Sequence, residues 1–184
     1  LPQLKAEYVE EQILYIDESG INSNETAEYG WSKKGECCHA LKSGGHGMRL
    51  SLISAVRSNS SFKFVMPLVF QGSCNRRIFR IVEYLLSSLV QNECESKKKH
   101  LLILDNASIH KGKEIEELAA RYNTRVFYLP AYSPDFNPIE KAWLVLKRKV
   151  RQIVVQQDKS VNEALNIAFK RNVLNFIDLA IPHK

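Results

Sequence analysis

Residues 100–107 read HLLILDNA, with four aliphatic residues in a row, Leu101 to Leu104, closed by Asp105 and Asn106. An unbroken apolar run this short suits a strand at the buried centre of a sheet, because a half-exposed strand would alternate apolar and polar residues. A strand covered on both faces needs a layer above and below it, which points to an α/β architecture. The acid that ends the run is costly to place there unless it is solvated, hydrogen-bonded or metal-bound.

The rest of the chain supplies the layers. ILYIDESG (Ile13 to Gly20) repeats the pattern, an apolar β-forming run followed by acids and a glycine, and reads as a strand ending in a turn. RLSLISAVRS (Arg49 to Ser58) and FKFVMPLVF (Phe62 to Phe70) read as a hairpin joined by NSS. From Cys74 the period becomes helical, with Ile78, Ile81, Val82, Leu85 and Leu89 on one face, so a helix is expected to about Gln91. Further elements are a helix from about Lys111 to Tyr122, a strand over RVFYLPA, and a helix from Ile139 to about Val154. Ser160-x-x-Glu163 has the form of a capping box opening a C-terminal helix. The expected order is β-β-β-α-β-α-β-α, a mixed β-sheet flanked by helices. Residues 1–12 are read as an N-terminal connector, 13–157 as the domain proper and 158–184 as a helical extension of it. The polar stretch 19–47 is expected to be a long connection with a short strand near Trp31. Its glycines Gly44, Gly45 and Gly47 lack the Lys-Ser/Thr ending of a phosphate-binding loop.

At 184 residues and 45% hydrophobic, the chain is one domain with enough mass for a proper core. No apolar run reaches the roughly 18 residues of a membrane span, so no membrane partner is expected. LPQLKAEYVEEQ lacks the apolar region of a signal peptide. Cys37, Cys38, Cys74 and Cys94 show neither C-x-x-C spacing nor a zinc pattern with the histidines, and read as reduced thiols of an intracellular protein. A net charge of +6 is compatible with a polyanion partner without establishing one.

LPAYSPDFNPIEKAW (Leu129 to Trp143) holds two further acids, Asp135 and Glu140. Asn137 suits a helix N-cap, Pro138 the first helical position, and Glu140 then falls at the third. There it can reach back to the cap's own N–H and sits well at the positive end of the helix dipole. Glu140 therefore has a sufficient structural role before any chemistry is invoked. Yet Asp17, Asp105 and Glu140 all stand at ends of separate elements, where ligand sites of open α/β sheets collect. Hard divalent cations such as Mg²⁺ take carboxylate oxygens and waters. Two of them, roughly 3.5–4 Å apart, can serve both the attacking and the leaving oxygen of phosphoryl transfer.

Four segments in order, YIDESGI, YGWSKKGE, LILDNASIHKG and LPAYSPDFNPIEKAW, resemble the DDE transposases of the mariner and bacterial insertion-sequence superfamily. The resemblance covers roughly Ile13 to Val154, and 34 residues separate Asp105 from Glu140, as in the Asp-Asp-Glu branch. It implies an RNase H-like catalytic domain for metal-dependent DNA strand cleavage and strand transfer. Asp17, Asp105 and Glu140 are then the ligands of two Mg²⁺ ions, with Mn²⁺ able to substitute. Asp17 would bridge the ions, and Asp105 and Glu140 would each complete one. Asp135 becomes a turn residue outside the triad. The implied partners are DNA, both transposon ends and target, and a second copy in a homodimeric active complex. Family members carry an N-terminal helix-turn-helix region, whereas about 12 residues precede the first strand here. With Leu1 rather than Met at its start, the chain is expected to be a fragment or a split-frame product, binding DNA weakly through phosphates.

Other residues carry two readings each. His110 orients the site, as the family's DN-A-x-x-H pattern implies, or simply sits at a helix N-terminus. Asn106 does the same or forms a turn. Lys147, Arg148, Lys149 and Arg151 contact DNA phosphates or complement the dipole late in a helix. Lys97 to Lys99 read as a solvated loop, and Trp143 reads as core rather than a base-stacking residue. A structure-selective ribonuclease would share the metal site and differ in substrate. A transposase-derived DNA-binding protein without activity would not need the intact acids.

Overall fold

Strand β1 (Ile13–Asn22) is the axis of a five-stranded sheet in the order β3-β2-β1-β4-β5. The computed structural model describes residues 2–22, 32–37, 49–58, 64–71, 82–83, 86–87, 99–107, 113–131 and 133–169. On one side of β1, β2 (Arg49–Arg57) and β3 (Phe64–Gln71) continue the sheet antiparallel. On the other, β4 (His100–Leu104) and β5 (Thr124–Tyr128) run parallel to it. Among the described helices, α1 (Pro2–Lys5) is a single turn, and α2 (Lys113–Arg121), α3 (Pro138–Gln157) and α4 (Val161–Ala168) follow. No described helix is long and apolar enough to cross a membrane.

Alternation along the strands sends side chains to two cores. Leu14, Ile16, Leu102 and Leu104 face one way, against Val82, Leu86 and Ile115 and Leu118 of α2. Ile13, Tyr15, Leu101 and Ile103 face the other way, against Ile139, Trp143, Leu146 and Val150 of α3 and Val161 and Leu165 of α4. β4 is buried at every position, as its unbroken apolar run required. Burying a side chain such as Leu102 contributes roughly 1.5–3 kcal/mol relative to leaving it exposed. The helix expected over 74–91 is represented by Val82, Glu83, Leu86 and Ser87, which are helical. The remainder of that stretch lies outside the described residues.

Two expectations are corrected. β1 does not end at Asp17 or turn at Gly20. It pairs with β2 from Leu14↔Arg57 to Asn22↔Arg49, so Asp17 lies mid-strand opposite Ser54. The Arg49 guanidinium crosses Gly20 inside the strand, and an added Cβ would stand 2.9 Å from Arg49 Nε, so that flexible side chain would have to shift. At the other end, β4 stops at Leu104, and Asp105 to Ala107 have left the sheet.

β3 carries a bulge. The register steps from Ile53↔Leu68 to Ala55↔Val65, so one residue of β2, Ser54, stands against two of β3, Met66 and Pro67. Met66 takes the extra place at φ 51°, in the left-handed region, beside Pro67, which has no N–H for the ladder. The buried Ser54 hydroxyl donates to the Val65 carbonyl at 2.9 Å and pins the distortion.

Candidate active site

The last parallel pair between β1 and β4 is Tyr15↔Ile103. Two residues further along the chain stand Asp17, still within β1 and sharing the parity of Tyr15 and hence the face that α3 covers, and Asp105, just past the end of β4. β1 continues as a strand through Asp17, while the chain at Asp105 turns away. There Asp105 Oδ1 accepts the N–H of Ala107 at 3.2 Å, holding the turn that lets the next segment leave the sheet. Asp105 is half-buried.

Glu140 comes from the first turn of α3. Its N–H donates to the Asn137 carbonyl at 3.2 Å, and Pro138 occupies the start of the helix as expected. The expected capping is corrected in one respect. Asn137 makes no side-chain capping hydrogen bond, and its Oδ1 is buried without a partner. The reciprocal capping pair occurs instead at α4, between Ser160 and Glu163. Glu140 is exposed, and with Asp105, Asn106, Ala107, Leu129, Pro130 and Asn137 it lines a cavity of about 420 Å³.

Asp17 lies at 7% exposure beneath α3, where Trp143 Nε1 donates to its Oδ2 at 3.1 Å. Its carboxyl is pushed up to about 7, first by burial, then by the charge of Glu140 and, more weakly, of Asp105. The backbone N–H of Glu18 and the Trp143 indole act in the opposite sense. The charges of Glu140 and Asp105 thus both reach Asp17, and a perturbed carboxyl such as that of Asp17 is a mark of functional sites. Among the described residues, no three His, Cys, Asp or Glu side chains are gathered closely enough to enclose an ion. The three carboxylates are an all-oxygen donor set of the sort that suits a hard divalent cation.

The remaining sequence candidates separate. Asn106 is half-buried on the cavity wall, and Asp135 is exposed in a short 3₁₀ turn, Pro134–Phe136. His110, Trp31, Lys97 and Lys98 lie outside the described residues. Along α3 at about 100° per residue, Lys147 and Arg151 fall within about 20° of the Glu140 stripe, roughly 10 and 16 Å up the axis. Arg148 stands to one side and Lys149 on the far side. Lys147 and Arg151 are half-buried, whereas Arg148 and Lys149 are exposed. Trp143 is core, as read, at 2% exposure. Its hydrogen bond to Asp17 was missed. The available signal was a tryptophan one turn beyond a candidate acid, since a buried indole N–H usually finds an acceptor.

A family model described as DDE superfamily endonuclease matches residues 12–162. No curated protein matches the chain in sequence. The solved Mos1 mariner paired end complex with Mn is similar at TM-score 0.64 and 15% identity, covering 92% of this chain and 55% of that one. The Mos1 transposase paired-end complex with left transposon end gives TM-score 0.63 at 14% identity, covering 92% and 56%. The mariner Mos1 paired end complex with Mg gives 0.58 at 15% identity, with the same 92% and 56%. The chain thus spans a little over half the length of these relatives, and the likeness establishes its fold as RNase H-like.

Proposed function

Because the chain belongs to the DDE superfamily endonucleases, we propose that it is the catalytic domain of a transposase, cleaving DNA at transposon ends and joining the freed 3′ ends to target DNA. One observation carries this reading. Asp17, Asp105 and Glu140 come from three separate segments, Asp105 and Glu140 line one cavity, and the charges of both act on Asp17.

These three carboxylates would hold two divalent cations, Mg²⁺ or Mn²⁺, the ions named for the similar Mos1 complexes. Such ions, when bound, polarise a phosphodiester and lower the pKa of a water nucleophile. The chain's own part is placement. β1 holds Asp17, the turn that follows β4 holds Asp105, and the first turn of α3 carries Glu140. Lys147 and Arg151 extend the Glu140 stripe with positive charge suited to a DNA backbone. No covalent enzyme intermediate is required, and the chemistry is orientation and charge stabilisation. The active complex is a homodimer working inside the cell, and this chain grips DNA mainly through phosphates.

The test is divalent-dependent nicking of a DNA duplex carrying candidate ends, run beside an RNA–DNA hybrid. DNA cleavage that disappears in Asp17→Asn and Asp105→Asn supports the reading. Cleavage of the hybrid alone would make the protein a ribonuclease, and activity surviving both substitutions would remove these acids from the site.

A further inference from the structure

Trp143 stands three residues after Glu140, on the same side of α3, and reaches down to β1. Its indole N–H meets Asp17 Oδ2 at 3.1 Å, both residues being buried. An indole has one donor and no acceptor, so this bond uses its whole polar capacity on one carboxylate oxygen. A carboxylate offers about four lone-pair positions. The bond therefore fixes the rotation of the group and leaves positions for a cation. The indole is itself held. The Phe64 ring of β3 lies against it with centroids 4.6 Å apart, and Phe169, which ends α4, meets Phe64 edge-on at 5.5 Å. Three elements thus set the plane of one ring, and that ring aims one N–H.

We propose that Trp143 is a positioning residue for the metal site, its N–H fixing the rotamer of Asp17 while its place on α3 ties Asp17 to Glu140. This rests on the reading of Asp17 as a metal ligand and assigns the group that orients it. Were Trp143 simply core, its N–H would be satisfied by any buried acceptor, and losing the bond would cost stability without changing ion affinity. Removing hydrogen-bond partners of metal ligands typically weakens metal binding by about 10–100-fold.

The experiment measures Mn²⁺ affinity by electron paramagnetic resonance at fixed pH, with thermal unfolding and cleavage kinetics alongside. Trp143→Phe removes the N–H together with part of the ring. Site-specific replacement of Trp143 by benzothienylalanine, which has sulfur in place of the N–H, keeps the shape and tests the donor alone. Both should weaken Mn²⁺ binding by about tenfold or more and lower kcat with KM for DNA little changed. The benzothienyl variant should still unfold cooperatively near the wild-type temperature. Phe64→Leu, which loosens the stack without touching the bond, should give a smaller loss of the same kind. Unchanged Mn²⁺ affinity in the folded benzothienyl variant overturns the proposal. Asp17→Asn separates the two levels of failure. If wild type binds Mn²⁺ and Asp17→Asn binds it equally well, the ligand assignment falls and the role of Trp143 falls with it.

Discussion

The N–H of Glu140 bonds to the main-chain carbonyl of Asn137 at 3.2 Å, while the Asn137 side chain caps nothing. The start of α3 is therefore held by backbone and by Pro138, and the Glu140 carboxylate is left for other work. Glu140→Gln should change stability by well under about 1 kcal/mol, because length and helix propensity are kept and only a dipole interaction is lost. Divalent-dependent strand cleavage should fall by orders of magnitude, since a hard cation needs the charge. Asp135→Asn, at an exposed turn, should keep most activity. Single-turnover cleavage and urea unfolding of both variants measure this, and equal losses would contradict the assignment.

Asn137 Oδ1 is buried without a partner, in a residue 4% exposed. Leaving such an atom unpaired costs roughly 1–3 kcal/mol. Asn137→Ala should raise stability by about 1 kcal/mol, and alanine accepts the extended conformation that precedes Pro138. An ordinary N-cap loses about 1 kcal/mol on the same substitution. The sign of the change in urea midpoint distinguishes the two.

Asp17 gives the metal-free protein a pH dependence. Its carboxyl, ordinarily at 3.8, titrates at about 7 when folded, so the folded state holds the proton more tightly than the unfolded one. The resulting stability is complete below about 4 and is lost as pH rises through about 7, on the order of a few kcal/mol in all. Urea unfolding at pH 5 and pH 8 in chelator should show this fall, and Asp17→Asn should flatten it. Mn²⁺ at pH 8 should restore wild type and leave the variant unmoved.

Lys147 and Lys149 lie on opposite sides of α3 relative to Glu140. If DNA follows the acidic stripe, Lys147→Ala should weaken binding across all sequences and reduce the slope of log affinity against log salt by about 1. Lys149→Ala should leave that slope nearly unchanged. Fluorescence anisotropy with a short duplex at several salt concentrations provides the comparison.

What could be read in the sequence was local. The apolar run Leu101–Leu104 announces a strand buried on both faces, and Ser160 with Glu163 announces a helix start, because each signal lies within a few neighbouring residues. The acids could be nominated by segment spacing, and Asp105 does stand just past a strand end. The unread features depend on partners distant in the chain. β1 runs past Asp17 and Gly20 because β2 offers a full ladder. The indole of Trp143 bonds to Asp17 across 126 positions, which helical spacing cannot show. Asn137 has the composition of a cap, but its side chain makes no capping bond and the residue lines the cavity.

The bulge at Met66 and Pro67 lies on an outermost strand of the sheet. A straight outer strand is a template on which another chain can lay its own backbone, and long flat ones invite fibre growth. A left-handed residue next to one lacking an N–H breaks that template midway along β3. Lateral polymerisation through this border is thereby discouraged, so a second copy is turned away from lengthening the sheet at β3.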